Sequence, residues 1–302
     1  MMLCAAIDIG SNTTRVLVAE PEAETLRTVM EQRAYTRIGK DATRGGGAIS
    51  DEKIGEVADV VCTQVRLAHE LGAELIRIVA TAAIREAANG AEVAAEIGAA
   101  AGVPVEVLGD HEEGRLSFIG ATKALGHPVA GEIAVVDVGG GSSEVTVGTI
   151  DAGVDAVHSF AIGSGVLSED LIVGDPPGPA EVRKLRERIE DFFAEVELDR
   201  PDQAVAVGGS ATSLRRLVGA VLEYETLERG VRVLTSDPAA AVAKRFELDP
   251  RRVEVLTAGI LLLEQFAQML GRPLQIGKGG LREGVILEML NDGGSAAGSR
   301  AA

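Results

Sequence analysis

The sequence predicts an α/β protein made of two related halves, and three observations carry that prediction. The run Asp8-Ile-Gly-Ser-Asn-Thr-Thr-Arg-Val-Leu-Val returns 129 residues later as Asp137-Val-Gly-Gly-Gly-Ser-Ser-Glu-Val-Thr-Val. Aspartate, glycine, two hydroxyls and valine match in register, so each copy reads as a strand, a tight glycine turn and an outgoing strand. Short apolar runs alternate with helical segments along both halves. The length of 302 residues suits about two domains at ~150 residues each.

In the first half, residues 3–9 read as a buried strand, Gly10–Asn12 as a polar turn, and a second strand runs through Ala19. Arg37–Gly47 reads as a basic, glycine-rich loop. Ile54, Val57, Val61, Val65 and Leu71 fall near helical spacing, which predicts a helix over 51–71. Leu75–Ala80 is a short apolar strand, Ala91–Ala101 an alanine-rich helix, and Val105–Leu108 another strand. Asp110 opens a helix to about Leu125, and Gly126-His127-Pro128 marks the domain boundary, giving domains over 1–126 and 127–292.

The second half restarts with a strand at Ile133–Asp137, a glycine turn and a strand to Val147. Asp175-Pro-Pro-Gly-Pro179 is a loop. Val182, Leu185, Ile189, Phe192 and Val196 step by 3, 4, 3 and 4, the mark of an amphipathic helix. Ala204–Val207 is a strand running into Gly208-Gly209-Ser210, Val253–Leu270 a mostly buried helix, Gly277–Gly280 a loop, and Leu281–Leu290 a helix. Residues 293–302, rich in Gly, Ser and Ala, read as a disordered tail.

Composition narrows the function. Glycine accounts for 37 of the 302 residues, about 12% against a usual ~7%, with no collagen-like period, so specific tight loops must use it. There is no Trp and aromatics reach 3%, which argues against a stacking platform for single-stranded nucleic acid. The formal charge is 29 − 46 = −17, which repels nucleic acid and anionic membranes at long range. Cys4 and Cys62 supply no disulfide framework and fit a reducing cytosol. The N-terminus lacks the basic region of a signal peptide, and Ala258–Leu263 falls far short of a ~20-residue membrane span, so a cytoplasmic location is expected.

The glycine turns point to phosphate. Successive N–H groups in such a turn form a nest for phosphate oxygens, and Thr13, Thr14, Ser142 and Ser143 add hydroxyl donors. Asp8 and Asp137 begin the two turns and suit a hydrated Mg²⁺, although the same pattern also reads as a glycine hairpin capped by aspartate. Arg85, at the end of a strand, suits a phosphate clamp or a helix-face pair with a glutamate. Asp110 and Glu113 have capping-box spacing, and Glu113 equally suits the orientation or deprotonation of an attacking water. Gly208–Ser213 is a further nest entering a helix, and Gly277–Gly284 is a glycine loop carrying Lys278 and Arg282. Arg37, Lys40 and Arg44 form either a solvated surface or a basic patch that draws in a polyphosphate. Competing motifs fail. Gly39-Lys40 is followed by Asp41 rather than the hydroxyl of a P-loop, and His111-Glu112 lacks the second His of a zincin.

Taken together, Asp8–Arg15, Ala80–Asn89, Gly109–Leu116, Asp137–Glu144, Gly208–Ser213 and Gly279–Gly284 resemble, in order, the motifs of the exopolyphosphatase / guanosine pentaphosphate phosphohydrolase (Ppx/GppA) family, over about residues 3–290. The resemblance implies the fold of actin, hexokinase and Hsp70, two ribonuclease-H-like domains around a cleft. It also implies Mg²⁺-assisted hydrolysis, with Mn²⁺ as a substitute, of the terminal phosphoanhydride of polyphosphate or of the 5′-phosphate of guanosine pentaphosphate. By motif, Glu113 resembles the catalytic base and Asp137 the metal-linked carboxylate, joined by Asp8. Asn12, Arg85, Gly139, Gly140, Ser142, Gly209 and Ser210 resemble phosphate contacts, and Ser11, Thr13, Gly141, Gly208, Lys278 and Arg282 complete the candidate set. Arg252 sits near a position where some members carry a phosphate-binding Arg. Family members are often homodimers.

Two departures stand out. The length matches the short members, which lack the helical domains that extend the polyphosphate channel, so short chains are the expected substrate. Val166 stands where Arg is usual, so one basic contact is missing. The alternatives are guanosine pentaphosphate as main substrate, or an alarmone- or nucleotide-binding sensor with little turnover. A sugar or acetate kinase is disfavoured by the setting of Glu113, which suits water activation.

Overall fold

The computed structural model describes residues 2–23, 25–125 and 129–298, with side chains through 292. The chain forms two compact units, one from residues 1–126 with 279–302 and the other from 127–278. The expected boundary, residues 126–128, lies outside the described residues, as does the end of the expected tail, 299–302.

The first unit contains β1 (Cys4–Ile9), β2 (Thr14–Glu22), β3 (Thr25–Ala34), α1 (Ile38–Arg44), α2 (Asp51–Glu70), β4 (Leu75–Ala80), α3 (Ala82–Arg85), α4 (Gly90–Ala101), β5 (Val105–Val107) and α5 (Asp110–Lys123). Its sheet has the order β3-β2-β1-β4-β5. The first three strands form an antiparallel meander, and β4 and β5 add in parallel. All of β1 is buried, so it reads as a continuous apolar run rather than an alternation. Ala5, Ile7 and Ile9 join one core with Val57, Val61, Val93 and Ile97 of α2 and α4, while Cys4 and Ala6 join a second with Leu116 of α5. Ser50 caps α2 by accepting from the Lys53 N–H at 3.3 Å.

The second unit contains β6 (Ile133–Val138), β7 (Ser143–Thr149), β8 (Gly153–Phe160), α6 (Ser164–Leu171), α7 (Pro179–Phe193), β9 (Gln203–Val207), α8 (Gly208–Val218), β10 (Val221–Leu222), α9 (Tyr224–Ser236), α10 (Ala239–Phe246), α11 (Pro250–Val253), α12 (Leu256–Leu270) and β11 (Leu274–Ile276). Its sheet runs β10-β11-β9-β6-β7-β8, again a meander extended by parallel strands, with β10 antiparallel at the edge. α12 lies at the centre of its core, buried along most of its length.

The sequence repeat is a structural repeat. The hairpin registers Cys4↔Ala19 through Ile9↔Thr14 recur as Ile133↔Gly148 through Val138↔Ser143, each pair displaced by the same 129 residues. The bulge between Val18 and Ala19 recurs between Val147 and Gly148. Each turn closes the same way, Gly10 N–H to Thr13 carbonyl and Gly139 N–H to Ser142 carbonyl, both at 3.0 Å. A short helix after the third strand then bonds to the turn in both units. The ribonuclease-H-like α/β fold expected from the motifs is therefore present twice.

The structure differs from the sequence reading in several places. α13 (Leu281–Gly298), expected with the second half, packs on α5 and β1 of the first unit, where Leu281, Val285 and Ile286 complete a core. Its periodicity announces a buried face but not which core receives it. The expected loop at Arg37–Gly47 is mostly α1, entered through Arg37 in the left-handed region (φ 49). β3 went unread because as an edge strand it is largely exposed and lacks an apolar run. α7 stops at Phe193, short of Val196, and the helix expected over 253–270 is split into α11 and α12. No helix among the described residues is long and apolar enough to cross a membrane.

Candidate active site

In the first unit the candidate residues gather at the carboxyl ends of β1 and β4. β4 ends at Ala80, and α3 presents Arg85 at its last position. Gly109 precedes the first turn of α5, which carries Asp110 and Glu113. The capping box suggested by their spacing is absent, because no side chain caps this helix. Both carboxylates reach Arg85 instead. Its Nη1 donates to Glu113 Oε2 at 2.8 Å and to the Leu108 carbonyl at 2.9 Å, and its Nη2 pairs with Asp110. The Glu113 side chain is 12% exposed, and the start of a helix favours a carboxylate there. Two charge-assisted bonds and one carbonyl thus fix Arg85 and Glu113 as a unit.

Asp8 stands at the end of β1, opposite Arg15 in the hairpin ladder. Arg15 Nη2 donates to Asp8 Oδ2 at 2.9 Å, and the carboxylate is almost fully buried. The metal role expected of Asp8 therefore competes with an internal ion pair. In the turn, the carbonyls of Ser11 and Asn12 accept from Gly39 and Arg37 of the α1 segment at 2.9 and 3.1 Å. Thr13 is buried at its end. The Thr14 hydroxyl bonds to that of Thr36, and the Ser143 hydroxyl donates to the Ile162 carbonyl at 2.7 Å, so both are structural.

In the second unit four pieces meet. The carbonyl of Gly139 accepts from the Ser164 N–H and hydroxyl, both at 2.9 Å, and that of Gly140 accepts from the Gly165 and Val166 N–H groups at 2.9 and 3.1 Å. With these carbonyls turned to α6, the N–H groups of Gly140 and Gly141 bond to no acceptor among the described residues. Ser210, fully buried at the start of α8, donates to the Ser164 hydroxyl at 3.5 Å, which joins α8 to α6 and the turn. Gly208 has φ +78, and a Cβ there would meet Asp137 Oδ1, so the carboxylate of β6 lies against the start of α8. A Cβ on Gly209 would lie 2.8 Å from the buried Arg252 guanidinium, which places Arg252 beside this nest. Ser142 is buried at the end of the turn, and Val166 lies in the first turn of α6, 41% exposed.

Asp137 pairs with Glu144 across the β6–β7 ladder, which sets two carboxylates side by side on one face. Glu144 is 4% exposed and its Oε1 accepts from the Ser159 hydroxyl at 3.4 Å. The donor set fits Mg²⁺, which binds through one or two carboxylates and completes its shell with water and phosphate oxygens. Among the described residues no group of three or more His, Cys, Asp or Glu could hold a metal ion by itself.

The Ppx/GppA phosphatase family model matches residues 17–292. The chain belongs to the Ppx/GppA phosphatase family. Membership makes it a phosphoanhydride hydrolase. "Exopolyphosphatase 1" of Mycobacterium leprae is 28% identical over 96% of this chain and 90% of its own length. "Exopolyphosphatase 2" of Mycobacterium tuberculosis is 32% identical over 88% of this chain and 90% of its own. The crystal structure of the Aquifex aeolicus Ppx/GppA family member superposes with a TM-score of 0.79 at 30% identity, covering 96% of this chain and 98% of that one.

Two members of the expected Ppx/GppA set are not in these clusters. Arg282 is buried, donating to Glu31 at 2.7 Å and to the Val16 carbonyl at 3.4 Å, so it anchors α13 to β2 and β3. Lys278 is exposed in the loop before α13. Glu144, conversely, lies beside Asp137 and is not among the sequence candidates. Its signal was present in the repeat, where Arg15 and Glu144 occupy equivalent positions with opposite charge.

Proposed function

We propose that the chain is an exopolyphosphatase that releases terminal orthophosphate from inorganic polyphosphate, with Glu113 activating the water. The observation that carries this reading is the Arg85–Glu113 pair, a buried carboxylate at a helix start held by a guanidinium at 2.8 Å. The names of the relatives support polyphosphate as the substrate.

The water oxygen attacks the terminal phosphorus, the bridging P–O bond breaks, and the shortened polyphosphate leaves with the electron pair. Glu113 takes the proton of the water. Arg85, with five N–H donors, holds Glu113 and offers the rest to the charge that develops on the phosphoryl oxygens. The N–H groups of Gly140, Gly141, Gly209 and Ser210, with Arg252 beside them, hold non-bridging oxygens. Asp137 and Glu144 would hold Mg²⁺, which supplies charge neutralisation on the phosphates when bound.

The test is orthophosphate release from tripolyphosphate, long-chain polyphosphate and guanosine pentaphosphate, each with and without Mg²⁺. Mg²⁺-dependent release from the polyphosphates is expected. Faster release from guanosine pentaphosphate would move the assignment to that substrate. Binding with no release from any of the three would make the chain a sensor.

A further inference from the structure

Three consecutive glycines, Gly139, Gly140 and Gly141, form the turn of the second unit. Glycine peptides turn more freely than any others, so such a turn gives its N–H groups no fixed direction unless a neighbour supplies one. In a planar trans peptide the carbonyl and the following N–H point to opposite sides. The Gly139 carbonyl shares a peptide with the Gly140 N–H, and the Gly140 carbonyl with the Gly141 N–H. A carbonyl that is held therefore aims the N–H behind it. Both carbonyls are held from the start of α6, each by two donors. Gly139 accepts from the Ser164 N–H and hydroxyl, both at 2.9 Å, and Gly140 from the N–H groups of Gly165 and Val166 at 2.9 and 3.1 Å. The approach is backbone to backbone, since a Cβ on Gly163 would lie 2.6 Å from the Gly140 carbonyl oxygen and one on Gly165 2.9 Å from the same atom. The equivalent turn of the first unit, Gly10-Ser11-Asn12, has one glycine, and among the described residues the Ser11 and Asn12 carbonyls receive one backbone N–H apiece. The additional donors thus serve the turn with the freer backbone, and of its four bonds only that of the Ser164 hydroxyl comes from a side chain.

Ser164 also reaches the other half of the nest. It is buried, and its oxygen accepts from the Ser210 hydroxyl at 3.5 Å. α12 closes the space behind the two hydroxyls, because a Cβ on Gly259 would lie 2.9 Å from Ser210 Oγ and 3.6 Å from Ser164 Cβ. One hydroxyl group thus bonds to the glycine turn and to the start of α8 at once. Resting on the exopolyphosphatase reading, we propose that Ser164 is a positioning residue of the phosphate nest. It touches no substrate. It sets the direction of the Gly140 N–H and the placement of Ser210, so that both meet non-bridging oxygens of a bound phosphate group. Those oxygens are present before and during the reaction, so the hydroxyl acts on binding more than on the chemical step.

The test is Ser164→Ala, which keeps the backbone bonds of α6 to the turn and removes the hydroxyl. KM for tripolyphosphate should rise about five-fold, the weight of one hydrogen bond. Its kcat should stay within about two-fold of the wild-type value. The control is Ser168→Ala, which removes another buried hydroxyl of α6, one whose bond to the Ser164 carbonyl at 2.7 Å stays within the helix. Its KM should match the wild type. A merely structural loss would lower the active fraction, and with it kcat, in both variants and leave KM where it was. An unchanged KM in Ser164→Ala overturns the proposal, as does an equal rise in Ser168→Ala. If the wild-type chain releases phosphate from no polyphosphate, the exopolyphosphatase reading fails by itself. Ser164 is then judged by calorimetric titration with tripolyphosphate, where Ser164→Ala alone should bind about five-fold more weakly. Equal affinity of all three proteins, or no binding by the wild type, overturns the assignment.

Discussion

Arg85 and Glu113 come from different elements, one ending α3 and the other in the first turn of α5, and meet through a single guanidinium nitrogen. Removing only the basicity of Glu113 should therefore be felt in turnover. Glu113→Gln is expected to lower kcat at least ~100-fold, given ordinary general-base contributions, with the melting temperature little changed. A near-normal rate would take Glu113 out of the reaction. Arg85→Ala is expected to raise KM and lower kcat together, since in the proposed reaction it both contacts phosphate and orients the base. Arg85→Lys should not restore the rate, because an ammonium lacks the planar fork that spans Glu113, Asp110 and the Leu108 carbonyl. Steady-state kinetics on tripolyphosphate reads both. At this scale the motifs that carry Glu113, Arg85 and Asp137 are local and can be read from the sequence. The sequence was illegible for Asp8 and Arg282, because an ion pair such as Asp8–Arg15 or Arg282–Glu31 depends on which side chains the sheet and α13 bring together.

Among the elements, α5 deserves its position to glycine. A Cβ on Gly120 would meet the carbonyl oxygen of Gly280, and one on Gly284 would meet that of Leu116, so α5 and the start of α13 touch backbone to backbone. Gly284→Ala is expected to cost about 1–3 kcal/mol, the usual range for overpacking, measured by urea unfolding. It should also lower kcat, because α5 carries Glu113. α13 is further held by ions. Arg77 and Arg115 both bond to Glu288, and although burial opposes it, their bonds hold the Glu288 carboxyl below the usual range. A carboxylate depressed in the folded state adds stability above its unfolded value of ~4.3 and loses it as pH falls through the lower folded value. The melting temperature should therefore drop as pH falls below about 4, and Glu288→Gln should show a shallower drop over the same range. The hairpins were readable in advance because the short apolar runs and glycine turns are local signals that recur 129 residues apart. The edge strand β3 and the packing of α13 were not, since exposure and tertiary partner leave no periodic mark.

For the whole molecule, the two units differ in continuity. The second is a single stretch, 127–278, whereas the first needs 279–302 as well as 1–126. The fragment 127–278 is expected to fold cooperatively by itself, and the fragment 1–126 is not, as judged by circular dichroism and thermal melting. The missing piece supplies Leu281, Val285 and Ile286, each of which contributes ~1.5–3 kcal/mol on burial. The 129-residue offset made the two-fold plan visible from sequence, but not this return of the chain, because α13 has no counterpart in the repeat.

The return of α13 bears on biosynthesis. As the polypeptide emerges, its opening sheet must wait, with Cys4, Ala6, Leu17 and Val79 uncovered, until a segment some 200 positions behind Val79 has been translated. The middle stretch meanwhile has everything it needs. A ribosome halted before Leu281 would leave one finished body tethered to one that chaperones must guard, with Glu113, the proposed base, on the unfinished part.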